Sequence, residues 1–157
     1  MVIETELEGL MAKNVNSVYQ AGRRSPDWIK VKPRWRQEFV VGGWLGGKGS
    51  RSGGLGSLLV GYYDDGQLHY AGRAGSGLSD TTQREWHQLL VEQAGCPFVE
   101  TPTFPRQKLD QGLHWCEPAE VVEIAFHEWG TDGQHLRHPV VLGRRTDKDP
   151  TEVVRER

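Results

Sequence analysis

Apolar and polar positions alternate in short runs along most of this chain, and only one stretch keeps a helical period. Residues 5–13 begin in alternation and end in the run Gly9-Leu10-Met11-Ala12, which predicts a strand. Residues 14–26 are rich in Asn, Ser, Gly and Arg and read as a loop. Residues 27–32 alternate again, with Trp28, Lys30 and Lys32 on one strand face and Ile29 and Val31 on the other. Pro33 punctuates the chain, and the boundary between two units, residues 1–33 and 34–157, is placed there. Beyond it, residues 37–45 are rich in Val, Phe and Trp, and residues 46–56 form a Gly/Ser loop. Residues 57–64 and 67–73 flank Asp65-Gly66, a strong two-residue hairpin signal. The helix falls at residues 79–93. Ser79 or Asp80 caps it, Gln83 can close a capping box from Asp80, and Trp86, Leu89, Leu90 and Gln93 keep its spacing until Gly95 and Pro97 stop it. A Pro-containing connector, residues 96–107, precedes strands at 121–129 and 136–145, with a second Asp-Gly turn at Asp132-Gly133 between them. Asp149-Pro150 can start a short terminal helix. Strands, a hairpin, one helix and further strands fit a mainly β, five-stranded Greek-key barrel. The OB-fold, with its helix between the third and fourth strands, is the best-known version, and other five-stranded barrels share the pattern.

Composition sharpens this reading in a few places. Twenty glycines supply the turns that many short strands need. A chain of 157 residues can bury a core without metals or disulfides. No apolar run approaches the roughly 20 residues of a membrane helix. The first ten residues carry three glutamates and no basic stretch, unlike a secretion signal, so cytoplasmic residence is expected. Cys96 and Cys116 form no CxxC pattern and read as reduced packing residues. A net charge of −2 argues against a generic nucleic-acid binder. The charge is uneven, however: Arg23, Arg24, Lys30, Lys32, Arg34 and Arg36 cluster, while Glu117, Glu120, Glu123 and Glu128 make another region acidic. The basic cluster is either a local phosphate grip or a solvated strand surface.

Two motifs fail on inspection. Gly42-Gly43-Trp44-Leu45-Gly46-Gly47-Lys48-Gly49 nearly matches a P-loop, but Gly49 replaces the required Ser/Thr and a strand follows where a phosphate cradle needs a helix N-terminus. His127, His135 and His138 lack a carboxylate-supported metal pattern. Three other pieces carry chemistry. Glu8-Gly9-Leu10-Met11-Ala12-Lys13 sets a carboxylate and a lysine around a strand. Trp28-Ile29-Lys30-Val31-Lys32 sets two ammonium groups at i, i+2, suited to gripping one phosphate from the same side. Arg145-Thr146-Asp147-Lys148 combines a guanidinium, a carboxylate and an ammonium.

In this order, with Ser17, Tyr19 and Gly22-Arg23-Arg24-Ser25 between the first two, these pieces resemble motifs IV, V and VI of the covalent nucleotidyltransferases. The resemblance is strongest to bacterial ATP-dependent DNA ligases, above all the ligase module of the end-joining ligase D. Val41-Gly42-Gly43-Trp44, Leu55-Gly56-Ser57-Leu58-Leu59, Tyr70-Ala71-Gly72-Arg73, Trp129 and Leu136-Arg137-His138-Pro139 look like its OB domain, so the resemblance covers nearly the whole chain. It implies that residues 1–33 are the end of an adenylation domain and residues 34–157 an OB-fold domain ending in motif VI. It implies roles by position. Glu8 acts on the nucleotide or a magnesium ion, and Arg24 contacts the nucleotide. Lys30 and Lys32 contact it and act on its α-phosphate. Arg145 and Lys148 orient the departing pyrophosphate, with Asp147 positioning them, and Lys48 and Arg51 meet DNA phosphates. Arg144 stands where the family more often has an apolar residue.

The same resemblance implies ATP and Mg2+ in the intact enzyme, with none held tightly by this chain alone. It implies nicked or broken duplex DNA as partner, association with the nucleoid, end-joining proteins, and an upstream adenylation domain. The chain contains no K-x-D-G, the motif whose lysine these enzymes adenylate; Lys108-Leu109-Asp110-Gln111-Gly112 is one residue out of pattern. Lysines that stabilise phosphate charge cannot replace that nucleophile, so the chain alone is expected to be catalytically silent, whether as a fragment, a truncated gene product or half of a split ligase. Two other readings stand beside this one. A stand-alone OB module binding nucleic acid or protein would use Trp35, Trp44, Tyr62, Tyr63 and Tyr70 as stacking platforms but has no need of motifs IV to VI. A capping guanylyltransferase shares those motifs but not the OB-domain resemblance.

Overall fold

The computed structural model describes residues 9–49 and 53–156. The chain divides into two units, Met1–Arg34 and Trp35–Arg157. In the first, β1 (Leu10–Lys13) pairs antiparallel with β2 (Trp28–Val31), with Leu10 opposite Val31 and Lys13 opposite Trp28. The part of the 5–13 strand before residue 9 lies outside the described residues. Because side chains alternate, Leu10, Ala12, Ile29 and Val31 share one face and Met11, Lys13, Trp28 and Lys30 the other. The first face is open: Leu10, Ile29 and Val31 are 49%, 60% and 50% exposed. A two-stranded ribbon is marginal alone, and among the described residues nothing of this unit covers that apolar face.

The second unit is an OB barrel. Its strands β3 (Trp35–Gly46), β4 (Leu55–Asp64) and β5 (Gln67–Ala74) form a meander. The β4–β5 turn uses Asp65 and Gly66, both at positive φ, 48° and 72°, as the hairpin signal requires. Helix α1 (Asp80–Leu89) follows, capped by Ser79, whose Oγ accepts from the Thr82 amide. Next come β6 (Glu92–Gln93), α2 (Arg106–Leu109), β7 (Leu113–Phe126), β8 (Glu128–Trp129), β9 (Leu136–Arg137) and β10 (Val140–Arg145). The sheet runs β10-β7-β3-β4-β5. A parallel bridge from Ser76 to Val140, with the Val141 amide donating to the Ser76 carbonyl at 2.8 Å, brings the end of β5 to β10 and closes the ring.

The core has two parts because β3 and β4 are covered on both faces. Inside the barrel lie Phe39, Val41, Leu58, Val60, Trp86, Val122, Ile124 and Phe126. Outside it, Val40, Leu59, Leu68, Val121 and Val153 pack under Phe98 of the connector. Trp44 is 4% exposed, stacked on His114 at 4.8 Å, and Trp35, Tyr62, Tyr63 and Tyr70 pack against the two clusters. These aromatic residues are therefore engaged in packing, Trp44 within the inner cluster and the others against one cluster or the other. Cys116 is a free thiol in the inner cluster, pushed up to about 12 chiefly by burial, then by Glu120 and Glu117.

Three elements depart from the pattern reading. The helix ends at Leu89, not Gln93: Leu90 turns extended and residues 92–93 pair with Cys116 and Trp115 as β6. Strand pairing to β7 thus overrides the apolar spacing that would have continued the helix. The strand expected at 121–129 begins at Leu113 and breaks before Glu128. Its first half carries Pro118, which ordinarily demotes a strand. Here Pro118 falls where β7 advances from Trp115 to Glu120 while β3 moves only from Gly43 to Val41, a bulge in which a missing N–H breaks no ladder bond. The strand at 136–145 divides into β9 and β10 around His138, at φ 53°, and Pro139.

The end of the chain is fixed to the barrel. After a 3-10 turn at Pro150–Glu152, capped by Asp149, Val153 is buried and its carbonyl accepts from the Tyr63 amide at 2.7 Å. The buried Gln37 side chain donates to the Val154 carbonyl at 3.0 Å and accepts from the Glu156 amide at 3.2 Å. Arg155 lies over the Trp129 ring at 4.1 Å. Gln37→Ala will cost about 1 kcal/mol, the low end of the range for stranded buried groups, because Val154 is half exposed. Urea unfolding of the chain will read the loss, and amide exchange at Glu156 will accelerate. Unchanged exchange there would show that Gln37 is not the anchor.

Candidate functional site

In the first unit the β1–β2 loop is held by its own polar residues. The Asn14 amide donates to the Asp27 carbonyl at 2.8 Å. Ser17 Oγ donates to the Asn14 carbonyl at 2.6 Å and accepts from Trp28 Nε1 at 2.9 Å. Trp28 is thereby fixed in orientation, with Lys13 Nζ 4.1 Å from its ring centroid and Tyr19 tilted against it at 5.5 Å. The loop and β2 enclose a cavity of about 670 Å³ lined in part by Met11, Tyr19, Arg23, Arg24, Trp28 and Lys30. Of the sequence-predicted residues, Arg24 and Lys30 meet here. Lys32 follows the end of β2 and does not line the cavity. Glu8 lies outside the described residues. Two aromatic rings facing two guanidinium groups and an ammonium can hold a planar ring and an anionic group together. Among the described residues no three His, Cys, Asp or Glu converge to hold a metal ion.

In the second unit, Arg145, Asp147 and Lys148 come together at the end of β10. Arg145 Nε and Nη2 donate to the two Asp147 carboxylate oxygens at 2.9 and 2.8 Å. Its Nη1 reaches Glu38 of β3 at 3.1 Å and Glu123 of β7 at 3.7 Å. Lys148 Nζ lies 3.5 Å from the other Glu38 oxygen. The adjacent Arg144 makes a bidentate pair with Glu120, at 2.6 and 3.0 Å, which gives this departure from the family's apolar residue a partner of its own. The acidic region singled out in the sequence is thus the counterpart of the terminal cations. Sequence reasoning passed over Glu38 and Glu123 as members of the site. The available signal was a lone acidic residue inside each apolar run, EFVV and VVEIAF.

The hydrogen bonds from Arg145, then one from its own backbone amide and lastly the charges of Arg145 and Lys148, hold the Asp147 carboxyl at about 2 against an ordinary 3.8. A depressed carboxylate stabilises the fold at pH above its unfolded value and loses that contribution as pH falls through the folded one. The window is therefore about pH 4 down to 2. A carbon-detected NMR titration will show Asp147 still ionised at pH 3, and Arg145→Gln will return it to near 3.8. Titration near 3.8 in the unaltered chain would exclude the pairing.

A third group is purely cationic. Lys48 stands exposed in the β3–β4 loop, and Arg51 lies outside the described residues. Lys108 of α2 is held below its ordinary value by burial first and then by the positive charges of Arg73 and Lys48. Arg73 of β5 and Lys108 therefore share the neighbourhood of Lys48. The chain order, which separates the three by tens of residues, could not reveal this. Helix α2 is brought there by the Gly46 amide, which donates to the Gly112 carbonyl at 2.8 Å.

A closed OB barrel with an Arg-x-Asp-Lys cluster after its last strand, on a chain whose other unit bears a cavity of aromatic rings and cations, defines the C-terminal region of a covalent nucleotidyltransferase. The chain belongs to the ATP-dependent DNA ligase family. The family model described as the ATP dependent DNA ligase C terminal region matches residues 51–148, and that of the ATP dependent DNA ligase domain matches residues 1–32. The multifunctional non-homologous end joining protein LigD of Mycobacterium bovis is 42% identical over 151 residues, 95% of this chain and 19% of that protein. LigD of Pseudomonas aeruginosa is 36% identical over 156 residues, 96% of the chain and 18% of that protein. A crystal structure of the ligase domain of Mycobacterium tuberculosis LigD aligns with a TM-score of 0.70 and 39% identity, covering 98% of this chain and 49% of that one. The chain thus spans about a fifth of these curated relatives and about half of the ligase domain.

Proposed function

We propose that the chain is the C-terminal working part of an ATP-dependent DNA ligase of the end-joining type. Its first unit completes the adenylation site and its barrel serves both ATP and DNA. The reading rests on one observation above the rest: Arg24 and Lys30 line a single cavity with Tyr19 and Trp28, the chemistry a nucleotide needs. In the complete enzyme a lysine amine attacks the α-phosphate of ATP and releases pyrophosphate. The AMP then passes to a DNA 5′-phosphate, and the 3′-hydroxyl displaces it to close the strand. In this reading Lys30 and Lys32 stabilise charge on the α-phosphate. Arg145 and Lys148, positioned by Asp147, orient the leaving pyrophosphate. Glu8 faces the nucleotide or Mg2+, which would neutralise phosphate charge when bound.

The barrel first closes on ATP and then turns another face to duplex DNA, a hinge motion near residues 32–34. Lys48, joined by Arg73 and Lys108, meets DNA phosphates on that face, and Arg51 is assigned the same role by its place in the sequence. The open apolar face of Leu10, Ala12, Ile29 and Val31 is where the upstream adenylation domain packs. The relatives are named for non-homologous end joining; end-joining proteins as further partners and a nucleoid location belong to the same proposal.

The test is a nick-sealing assay with ATP and magnesium, on this chain alone and with an upstream nucleotidyltransferase segment carrying K-x-D-G added as a second polypeptide. Sealing only in the mixture is the expected result. Sealing by the chain alone would overturn the assignment of the nucleophile to another segment. No sealing by a mixture shown to form a complex would overturn the ligase reading.

A further inference from the structure

The carboxylates that hold the terminal cations also face each other. Glu38 on β3 and Glu123 on β7 are registered directly opposite each other, and like charges so placed repel across a strand pair. Arg145 is opposite Val121 on the neighbouring pair, one diagonal step from Glu123, within reach of a long side chain. Glu38, Glu123, Val40, Val121 and Arg145 therefore share the outer face of the barrel, where the apolar outer cluster gives way to charge. Glu38 is 17% exposed and touches both cations, Arg145 at 3.1 Å and Lys148 at 3.5 Å. Glu123 is paired among the described residues with Arg145 alone, at 3.7 Å. With Asp147 on the other edge of the guanidinium, three carboxylates face two cations. Both terminal cations are thus already engaged by carboxylates before any polyphosphate arrives.

We propose that Glu38 and Glu123 are positioning residues that act as an internal anion. They occupy the phosphate-gripping side of Arg145 and Lys148, and a polyphosphate binds only by displacing them. Asp147, which takes the Nε edge of Arg145, stays in place and keeps the guanidinium aimed. The arrangement rests on the reading that Arg145 and Lys148 bind phosphate, and it adds that the acids set how tightly they do so. The two cations are thereby held extended along the barrel surface, rather than folded at random, until a more highly charged anion replaces the acids. Glu38, with two cation contacts, carries more of this competition than Glu123, with one.

Inorganic tripolyphosphate titrated into the whole chain by calorimetry tests this. Glu38→Gln keeps the shape of the side chain and removes its charge, and it also relieves the repulsion from Glu123. The melting temperature should therefore be held or raised. Its tripolyphosphate affinity should rise about 3- to 10-fold, as expected for releasing two partly exposed ion pairs. Glu123→Gln should give a smaller rise, and Arg145→Ala should abolish binding in every background. A gain of affinity is a readout that mere structural damage does not produce. Arg145-dependent binding that is no tighter in Glu38→Gln would overturn the internal-anion proposal alone. Absence of Arg145-dependent binding in both the unaltered chain and Glu38→Gln would overturn the phosphate role of Arg145 itself, and the proposal with it.

Discussion

Phe98→Ala will lower the stability of the barrel unit by about 3–5 kcal/mol, the usual cost of emptying a buried aromatic site. Phe98 is 4% exposed although it lies in the connector between β6 and α2. Its ring meets Tyr70 and Trp115 edge-on at 5.3 and 6.1 Å. It covers two positions where the strands beneath have no side chain. A Cβ added at Gly42 would stand 2.5 to 3.0 Å from three atoms of the ring, and one added at Gly61 would stand 2.7 Å from it. Phe98 is the buried member of the connector in the outer cluster, where Cys96 and Phe104 pack at its margin and the Val99 amide donates to the Leu68 carbonyl. Two further substitutions separate the ring from the backbone. Gly42→Ala should itself be costly, and less so in the Phe98→Ala background, since the nearest obstacles to its methyl are atoms of that ring alone. Gly61→Ala should stay costly in both backgrounds, because its Cβ also collides with the His69 carbonyl oxygen across the hairpin, and backbone there cannot give way. Urea unfolding of the three single and two double variants gives the coupling energies directly. A cost for Gly42→Ala that is the same with and without Phe98 would show that the ring does not occupy that space.

How far the sequence discloses this molecule depends on whether a feature is local. The Asp65-Gly66 turn, the Ser79 cap and the Asp149 cap are each set by a few neighbouring residues, and each is found where the pattern puts it. The order of strands and one helix fits the OB topology along with other five-stranded barrels, and the family resemblance, carried by motif order, selects it. What the pattern misses is set by partners distant in the chain. Residues 92–93 leave the helix because β7 offers them a ladder. Residues 113–120 read poorly as a strand because Pro118 and two glutamates interrupt them, yet a bulge excuses the proline and Arg144 engages Glu120. At the sites, strand alternation suffices to put Trp28 and Lys30 on one face of β2, and the cavity contains both. Lys32, at the same spacing, falls beyond the paired strand and outside the lining. The acids around Arg145 come from β3 and β7, about 107 and 22 positions away by their numbering. No local spacing rule reaches that far, whereas register across three strands does.

In a ligase completed by an upstream segment, Arg145→Ala should slow formation of the enzyme–AMP intermediate by roughly 100- to 1,000-fold, the usual loss when one group stabilising developing charge is removed. Sealing of a nick that already carries the adenylate should change little. The asymmetry follows from what each step asks of the side chain. Pyrophosphate leaves only in the first transfer, so a guanidinium that orients it lowers the barrier of that step and of no other. Asp147 holds two of its nitrogens at 2.9 and 2.8 Å, so the group is aimed before any phosphate arrives and little ordering cost falls on the reaction. Lys30→Ala should behave differently. Lys30 lines the cavity of the first unit with Arg24 and Trp28, and the α-phosphate assigned to it is attacked or displaced in all three transfers. Both the ATP reaction and the sealing of adenylated DNA should therefore fall. Single-turnover assays on ATP and on pre-adenylated nicked duplex resolve the two patterns. Equal losses in both assays for Arg145→Ala would remove it from the pyrophosphate and assign it a general role in holding DNA or the barrel. An unimpaired second assay for Lys30→Ala would show that its cation serves ATP binding alone.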